Sequence, residues 1–171
     1  MTWGQSAGNL QKDPQRLYVK EKDKDRKKDE TSMDLNAQWI VGFVDGEGCF
    51  HIGINKNQEM TLGVQVLPEF TVVQHQADVQ VLYALKAYFG CGVVRKNHAT
   101  RFCYRVRGQA NLHDRILPFF EKHQLKTRKR IDFAKFRKVV LLIQKGEHLS
   151  PDGLEKIRQI KTTMNSTTFS R

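Results

Sequence analysis

The stretch Trp39-Ile-Val-Gly-Phe-Val-Asp-Gly-Glu-Gly-Cys-Phe50 holds the residue types best suited to chemistry. Gly42 and Gly46 are four apart and fall on one face of a helix, where each costs about 1 kcal/mol relative to alanine. Glycines at that spacing make sense where another backbone must come close. Glu47 follows at the helix C-terminus, where the negative end of the macrodipole disfavours an anion. A carboxylate in so poor a position, beside flexible glycines, points to a cation. Carboxylate and carbonyl oxygens suit Mg²⁺, which keeps several waters and also binds substrate phosphate. Two such helices, packed through Gly42 and Gly46 with Trp39 and Phe43 alongside, would bring two Glu47 side chains to a dyad. Metals held there could serve in-line attack by water on two strands.

The neighbouring residues read more plainly. Asp45 is expected to be a structural residue at the helix end rather than a metal ligand, and His75 an ordinary strand-end side chain. Cys49 and Cys103 read as small residues in a sheet. The three cysteines, Cys49, Cys91 and Cys103, form no pair at metal-ligand spacing, and their odd number argues against a disulfide framework. No apolar run reaches the ~18–20 residues that span a bilayer, and the N-terminus lacks the apolar stretch of a secretory signal. An intracellular protein with no membrane partner is expected.

The elements that must position these residues follow from periodicity. Leu35, Trp39, Ile40, Phe43 and Val44 recur at helical spacing, predicting a helix from an N-cap at Asp34 through Asp45. Cys49 to Ile54 alternates with period 2, and the alternation resumes from Thr61 to Val73 after a turn at Asn55–Gln58. Asp78 to Phe89 predicts a second helix with Gly90 as its stop. A second hairpin spans Gly92–Lys96 and Arg101–Arg107. Helices over Asn111–Lys122 (despite Pro118), Ile131–Gln144 and from Ser150-Pro151 to about Met164 complete the chain. The order predicts an α+β domain over residues 34–165, with helices on one face of a four-stranded antiparallel sheet and the other face free. Residues 1–33 read as a charged, disordered arm, since mixed charge with few apolar residues cannot offset the entropy of ordering. Residues 166–171 read as a flexible tail.

Charge says what the free face meets. The formal net charge is +11 with a sequence pI near 9.7, and residues 1–34 hold 8 basic and 7 acidic residues, so +10 lies on the part that folds. A polyanionic partner is expected. Strand positions out of phase with the apolar ones are His51, Gly53 and Asn55, then Gln65, Leu67, Glu69 and Thr71. The second hairpin adds Arg95 and Asn97, then Arg101, Cys103, Arg105 and Arg107. Arginine can bond guanine bidentately and Asn or Gln can bond adenine, each good pair giving about 1–3 kcal/mol of discrimination. His51, Asn55, Gln65, Thr71, Arg95, Asn97, Arg101, Arg105 and Arg107 form the candidate DNA-reading set.

The segment Gly42-Phe-Val-Asp-Gly-Glu-Gly48 resembles the signature of the LAGLIDADG homing endonucleases, and the downstream pattern is similar to that family over about residues 35–165. The resemblance implies an αββαββα fold whose four-stranded antiparallel sheet binds DNA. It makes Glu47 the metal-binding acid and gives Gly46 a backbone carbonyl on the metal. Phe70-Thr-Val-Val-Gln74 resembles the strand whose terminal Gln orders water at the active site. Leu125-Lys-Thr-Arg-Lys-Arg130 resembles the segment that brings a basic residue to the scissile phosphate, with Lys129 the preferred match and Lys126 the alternative. Two departures stand out: Glu replaces the commoner Asp at the metal position, and Ile-Val-Gly replaces Leu-Ala-Gly at the start of the motif.

With one copy of the motif, the resemblance implies a homodimer on a long pseudo-palindromic duplex. The product would be a double-strand break made with Mg²⁺, promoting the mobility of an intron. An organelle is the expected setting, a chloroplast ahead of a mitochondrion. The rivals are a maturase bound to its own intron RNA and a non-cleaving DNA-binding regulator. Glu47, Gln74 and Lys129 together favour the enzyme, because a binder has no need of an acid aimed at phosphate.

Overall fold

The computed structural model describes residues 33–165, so the expected arm (Met33 apart) and the 166–171 tail lie outside the described residues. Helix α1 spans Ala37–Glu47. Its N-cap is Asn36 rather than Asp34, with Asn36 Oδ1 accepting from Trp39 N at 2.9 Å. Leu35 explains the shift. As the residue before the cap it is buried together with Ile40, and these are the two positions of a hydrophobic staple that fixes where the helix begins.

Strands β1 (Gly48–Lys56) and β2 (Val64–His75) form the first hairpin. After a short 3₁₀ turn, α2 runs from Val79 to Phe89 and stops at Gly90, whose φ of 64° is left-handed. Strands β3 (Val93–His98) and β4 (Arg101–Val106) form the second hairpin around Ala99 and Thr100, with a bulge between Lys96 and His98 that holds Asn97. Helix α3, residues 109–122, is continuous but contains a π turn at Leu112–Ile116 just ahead of Pro118. Proline has no N–H for the carbonyl one turn back, and widening the preceding turn accommodates it. Helices α4 (Lys129–Gln144) and α5 (Pro151–Thr162) close the domain, α5 starting from Ser150, whose Oγ accepts from Gly153 N at 3.1 Å.

The sheet order is β1-β2-β4-β3, all antiparallel. Register places Phe50, Phe70 and Val106 in one cross-strand row and Val72, Tyr104 and Val94 in another. These residues face the helices, and Phe50, Ile52, Phe70, Val72, Tyr104 and Val106 are at most 1% exposed. Aromatic rings tie the layers: Phe50 contacts Phe70 from the sheet and Phe120, Phe133 and Phe136 from α3 and α4, all with centroids 5.1–5.5 Å apart. Among the described residues the helices pack on this face and none covers the polar side of the sheet, as the alternation predicted.

Candidate active site and nucleic-acid interface

The last turn of α1 meets the segment before α4, more than eighty residues away in sequence. Asp45 makes the junction. Its Oδ2 accepts from Lys126 N at 2.7 Å, and its Oδ1 accepts from Thr127 N at 3.2 Å and Thr127 Oγ1 at 2.8 Å. Asp45 therefore has the structural role expected of it. The function of that role is specific: it pins the basic segment to the end of α1. Thr127, which sequence reading passed over, completes the junction by also accepting from Lys129 N at 3.2 Å.

Lys129 is the first residue of α4. Its Nζ donates to the Gly46 carbonyl at 3.3 Å and to the Gly48 carbonyl. Helix α1 has no basic residue in its own last turn, so Lys129 supplies the positive charge that the negative end of the dipole favours. Lys126 is exposed and reaches the junction through its backbone N–H. Of the two candidate lysines, Lys129 is the one whose ammonium lies against the motif.

Glu47 is the last residue of α1 rather than one past its end, and it is exposed. Gly48 pairs with Val72 across β1 and β2, so β2 runs on past the start of β1. Gln74 lies two residues further along β2, about 7 Å beyond that pair. It belongs to β2 and pairs with Phe102, because the strand extends to His75 rather than ending at Val73. His75 Nδ1 accepts from Ala77 N at 3.2 Å and caps the 3₁₀ turn. Burial, the largest influence, raises the thiol pKa of Cys49, Cys91 and Cys103, which keeps them protonated and poor nucleophiles.

The donor set fits a hard cation with many waters. Among the described residues no three His, Cys, Asp or Glu side chains gather at a metal site; of the two carboxylates in the last turn of α1, Asp45 is occupied by Lys126 and Thr127, and Glu47 is exposed. The Gly46 carbonyl has a second lone pair beyond the one that Lys129 Nζ occupies. One carboxylate and one carbonyl suit a hard divalent cation that keeps its waters better than a metal needing a full protein cage.

The outer face of α1 is also open. A Cβ built on Gly42 or Gly46 meets nothing within 4 Å, so neither glycine is required by packing among the described residues. Gly48 is the opposite case, since a Cβ there would lie 2.5 Å from Val44 Cγ1. Trp39, 40% exposed, stacks on half-buried Phe43 at 4.7 Å beside the two open glycines. The helical spacing thus divides: Leu35, Ile40 and Val44 go to the core together with Val41, Phe43 is half-buried against its edge, and Trp39 is exposed.

The outer face of the sheet carries the predicted reading set in four rows, one per strand. Asn55 lies opposite Gln65, and Thr71 lies opposite Arg105. Arg95 lies opposite Cys103, while Arg101 lies opposite His75 on one side and His98 on the other. Cys103, expected on this face, is there but buried among its neighbours. Four strands span about 14 Å and β2 about 40 Å, against a major groove about 12 Å wide and a helical turn of about 34 Å. Between β3 and β4 the face hollows into a groove of about 460 Å³, lined by Arg95, Lys96, Asn97, Arg105 and Arg107 among others. Lys96 was missed in sequence because its parity points it inward; at the tip of the hairpin no helix covers it, and it is exposed. Glu69 stood in the sequence only as one of the outward strand positions. In the fold it holds Arg107, with Nε and Nη2 both 2.7 Å from its Oε2, and Arg105 Nε lies 3.6 Å from the same oxygen.

A family model described as LAGLIDADG endonuclease matches residues 40–140. A protein in ND4 intron 1 of Podospora anserina is 36% identical over 118 residues, covering 68% of this chain and 26% of that protein. The homing endonuclease I-TnaI is 54% identical with a TM-score of 0.76, covering 80% of this chain and 92% of that one. I-SmaMI, a LAGLIDADG homing endonuclease seen bound to cleaved DNA, is 37% identical with a TM-score of 0.76, covering 80% of this chain and 46% of that one. The chain thus spans about a quarter of the Podospora relative and about half of I-SmaMI. With the motif, the sheet and these matches in agreement, the chain belongs to the LAGLIDADG endonuclease family.

Proposed function

We propose that this chain forms half of a site-specific, Mg²⁺-dependent DNA endonuclease, acting as a C₂ homodimer on a long pseudo-palindromic duplex to promote intron mobility. The observation that carries the reading is the open Gly42/Gly46 face of α1, which ends in Glu47 with the Lys129 ammonium on the flanking Gly46 and Gly48 carbonyls. A second α1 seated on that face, through Trp39, Gly42, Phe43 and Gly46, would bring two Glu47 carboxylates to one axis. That I-SmaMI is about twice the matched length supports a site made from two such units.

Glu47 and the Gly46 carbonyl would hold the metal, which when bound polarises the scissile phosphate and stabilises the leaving oxygen. Lys129 adds positive charge where the transition state gains negative charge, with Lys126 second in line. Gln74 orients the attacking water. The sheet residues His51, Asn55, Gln65, Thr71, Arg95, Asn97, Arg101, Arg105 and Arg107 select the sequence. The setting is organellar; the ND4-intron relative weighs toward a mitochondrion, against the chloroplast expected from sequence.

The test is cleavage, with Mg²⁺, of duplex DNA carrying the intron-less insertion site. Wild type should cut both strands. Glu47→Gln should bind the same duplex with its cutting reduced about a hundredfold or more, since even the residues supporting a metal ligand contribute 10–100-fold. Equal binding by both proteins with no cutting by wild type would sink the nuclease reading and favour the regulator. Tight binding to intron RNA alone would favour the maturase.

A further inference from the structure

Glu69 sits in the middle of an arginine-rich surface that otherwise invites phosphate and bases, and its side chain is only 15% exposed. One of its oxygens, Oε2, gathers three guanidinium nitrogens: Arg107 Nε and Nη2 at 2.7 Å each, and Arg105 Nε at 3.6 Å. Arg105 Nε is itself buried with no hydrogen-bond partner. Glu69 lies on β2 and the arginines on or just past β4, so the contact forms only when the central strands are in register.

A guanidinium reads guanine with two parallel N–H groups, either along its Nε/Nη edge or along its terminal Nη1/Nη2 edge. Glu69 occupies the Nε/Nη2 edge of Arg107, which leaves the terminal edge. The Arg107 side chain is 52% exposed and lines the groove between β3 and β4, so the free edge has somewhere to act. We propose that Glu69 is a positioning residue for base recognition, fixing Arg107 so that its terminal edge reads one guanine in each half-site. This rests on the DNA-reading role proposed above. Without Glu69, a long side chain that must be ordered at each encounter can settle on phosphate, which has no sequence information. An acid on a DNA-facing surface weakens attraction to the duplex as a whole; its use is discrimination.

The experiment enriches random-sequence DNA duplexes on the full chain and reads base preferences by sequencing, alongside affinity for an unselected duplex. Wild type should prefer guanine at one pair per half-site, and Arg107→Lys, which keeps the charge but lacks the fork, should lose that preference. Glu69→Gln should weaken the same preference about tenfold while binding unselected duplex as well as wild type or better. Adding Glu69→Gln to Arg107→Lys should change nothing further at that position. A purely structural Glu69 would lower thermal stability and leave the preference intact, and that result overturns the proposal. If Glu69→Gln does not fold, a guanine preference that survives Arg107→Lys overturns it equally. A wild-type chain that enriches no sequence defeats the DNA-reading role itself. One that enriches a site with no Arg107-dependent guanine defeats only the assignment to Glu69.

Discussion

Asp45 and Lys129 carry the residue-scale argument. One anchors the basic segment through three hydrogen bonds and the other lays its ammonium across the end of α1. Asp45→Asn keeps the size but removes the charge and converts one acceptor into a donor facing N–H groups. Charge-assisted bonds of this kind contribute about 1.5–3 kcal/mol when shielded, and at this partly exposed position about 1 kcal/mol of stability should be lost. Cleavage should suffer more than stability does, because the displaced segment brings Lys129. Single-turnover cleavage beside thermal melting would separate the two, and unchanged cleavage with a lowered Tm would show that the anchor has no part in positioning.

At the scale of the element, α1 divides its surface between the core and the space outside the chain. Ile40, Val41 and Val44 are buried, while Gly42 and Gly46 face open space. Gly42→Leu should therefore leave the monomer folded and slightly stabilise the helix, since glycine costs about 1 kcal/mol there. It should abolish self-association. Sedimentation of wild type and variant, with and without DNA, checks this; a variant that still dimerises would remove α1 from the interface. Gly48 gives the contrast. A methyl there meets Val44 Cγ1 at 2.5 Å and its carbonyl oxygen at 2.8 Å, so Gly48→Ala should destabilise the fold by about 1–3 kcal/mol, read from urea unfolding.

For the whole molecule, the basic sheet face predicts strong salt dependence. Each phosphate neutralised adds about −0.9 to the slope of log K against log salt. A slope near zero for duplex binding would contradict a phosphate-tracking surface. The core has its own pH signature. Burial raises the Tyr104 phenol pKa above its usual 10, and its hydroxyl donates to the Cys91 carbonyl at 3.1 Å. Below pH 10 the phenol is protonated in both folded and unfolded chains; above it the unfolded chain loses the proton first, so stability should fall as pH rises further. Tyr104→Phe should cost about 1 kcal/mol near neutrality and flatten that alkaline decline, as urea unfolding at pH 8 and pH 11 would reveal.

The order of helices and strands, the buried face of each strand and the acid at the end of α1 were determined by the sequence itself. These depend on periods of 2 and 3.6 and on local turn chemistry, which a linear chain displays directly. Boundaries moved where a neighbour intervened: Leu35 entering the core made Asn36 the cap, and pairing with β4 carried β2 on to His75. The tertiary structure alone decided what joins what. It put Lys129 rather than Lys126 against the motif, gave Asp45 its partners 81 and 82 residues away, and set Glu69 on Arg107 across 38 residues. It also separated Gly42 and Gly46, which face open space, from Gly48, which packs tightly on Val44. Such pairings have no period along the chain; they exist only after the core has brought distant strands and helices to fixed distances, and the candidate site is built almost wholly from them.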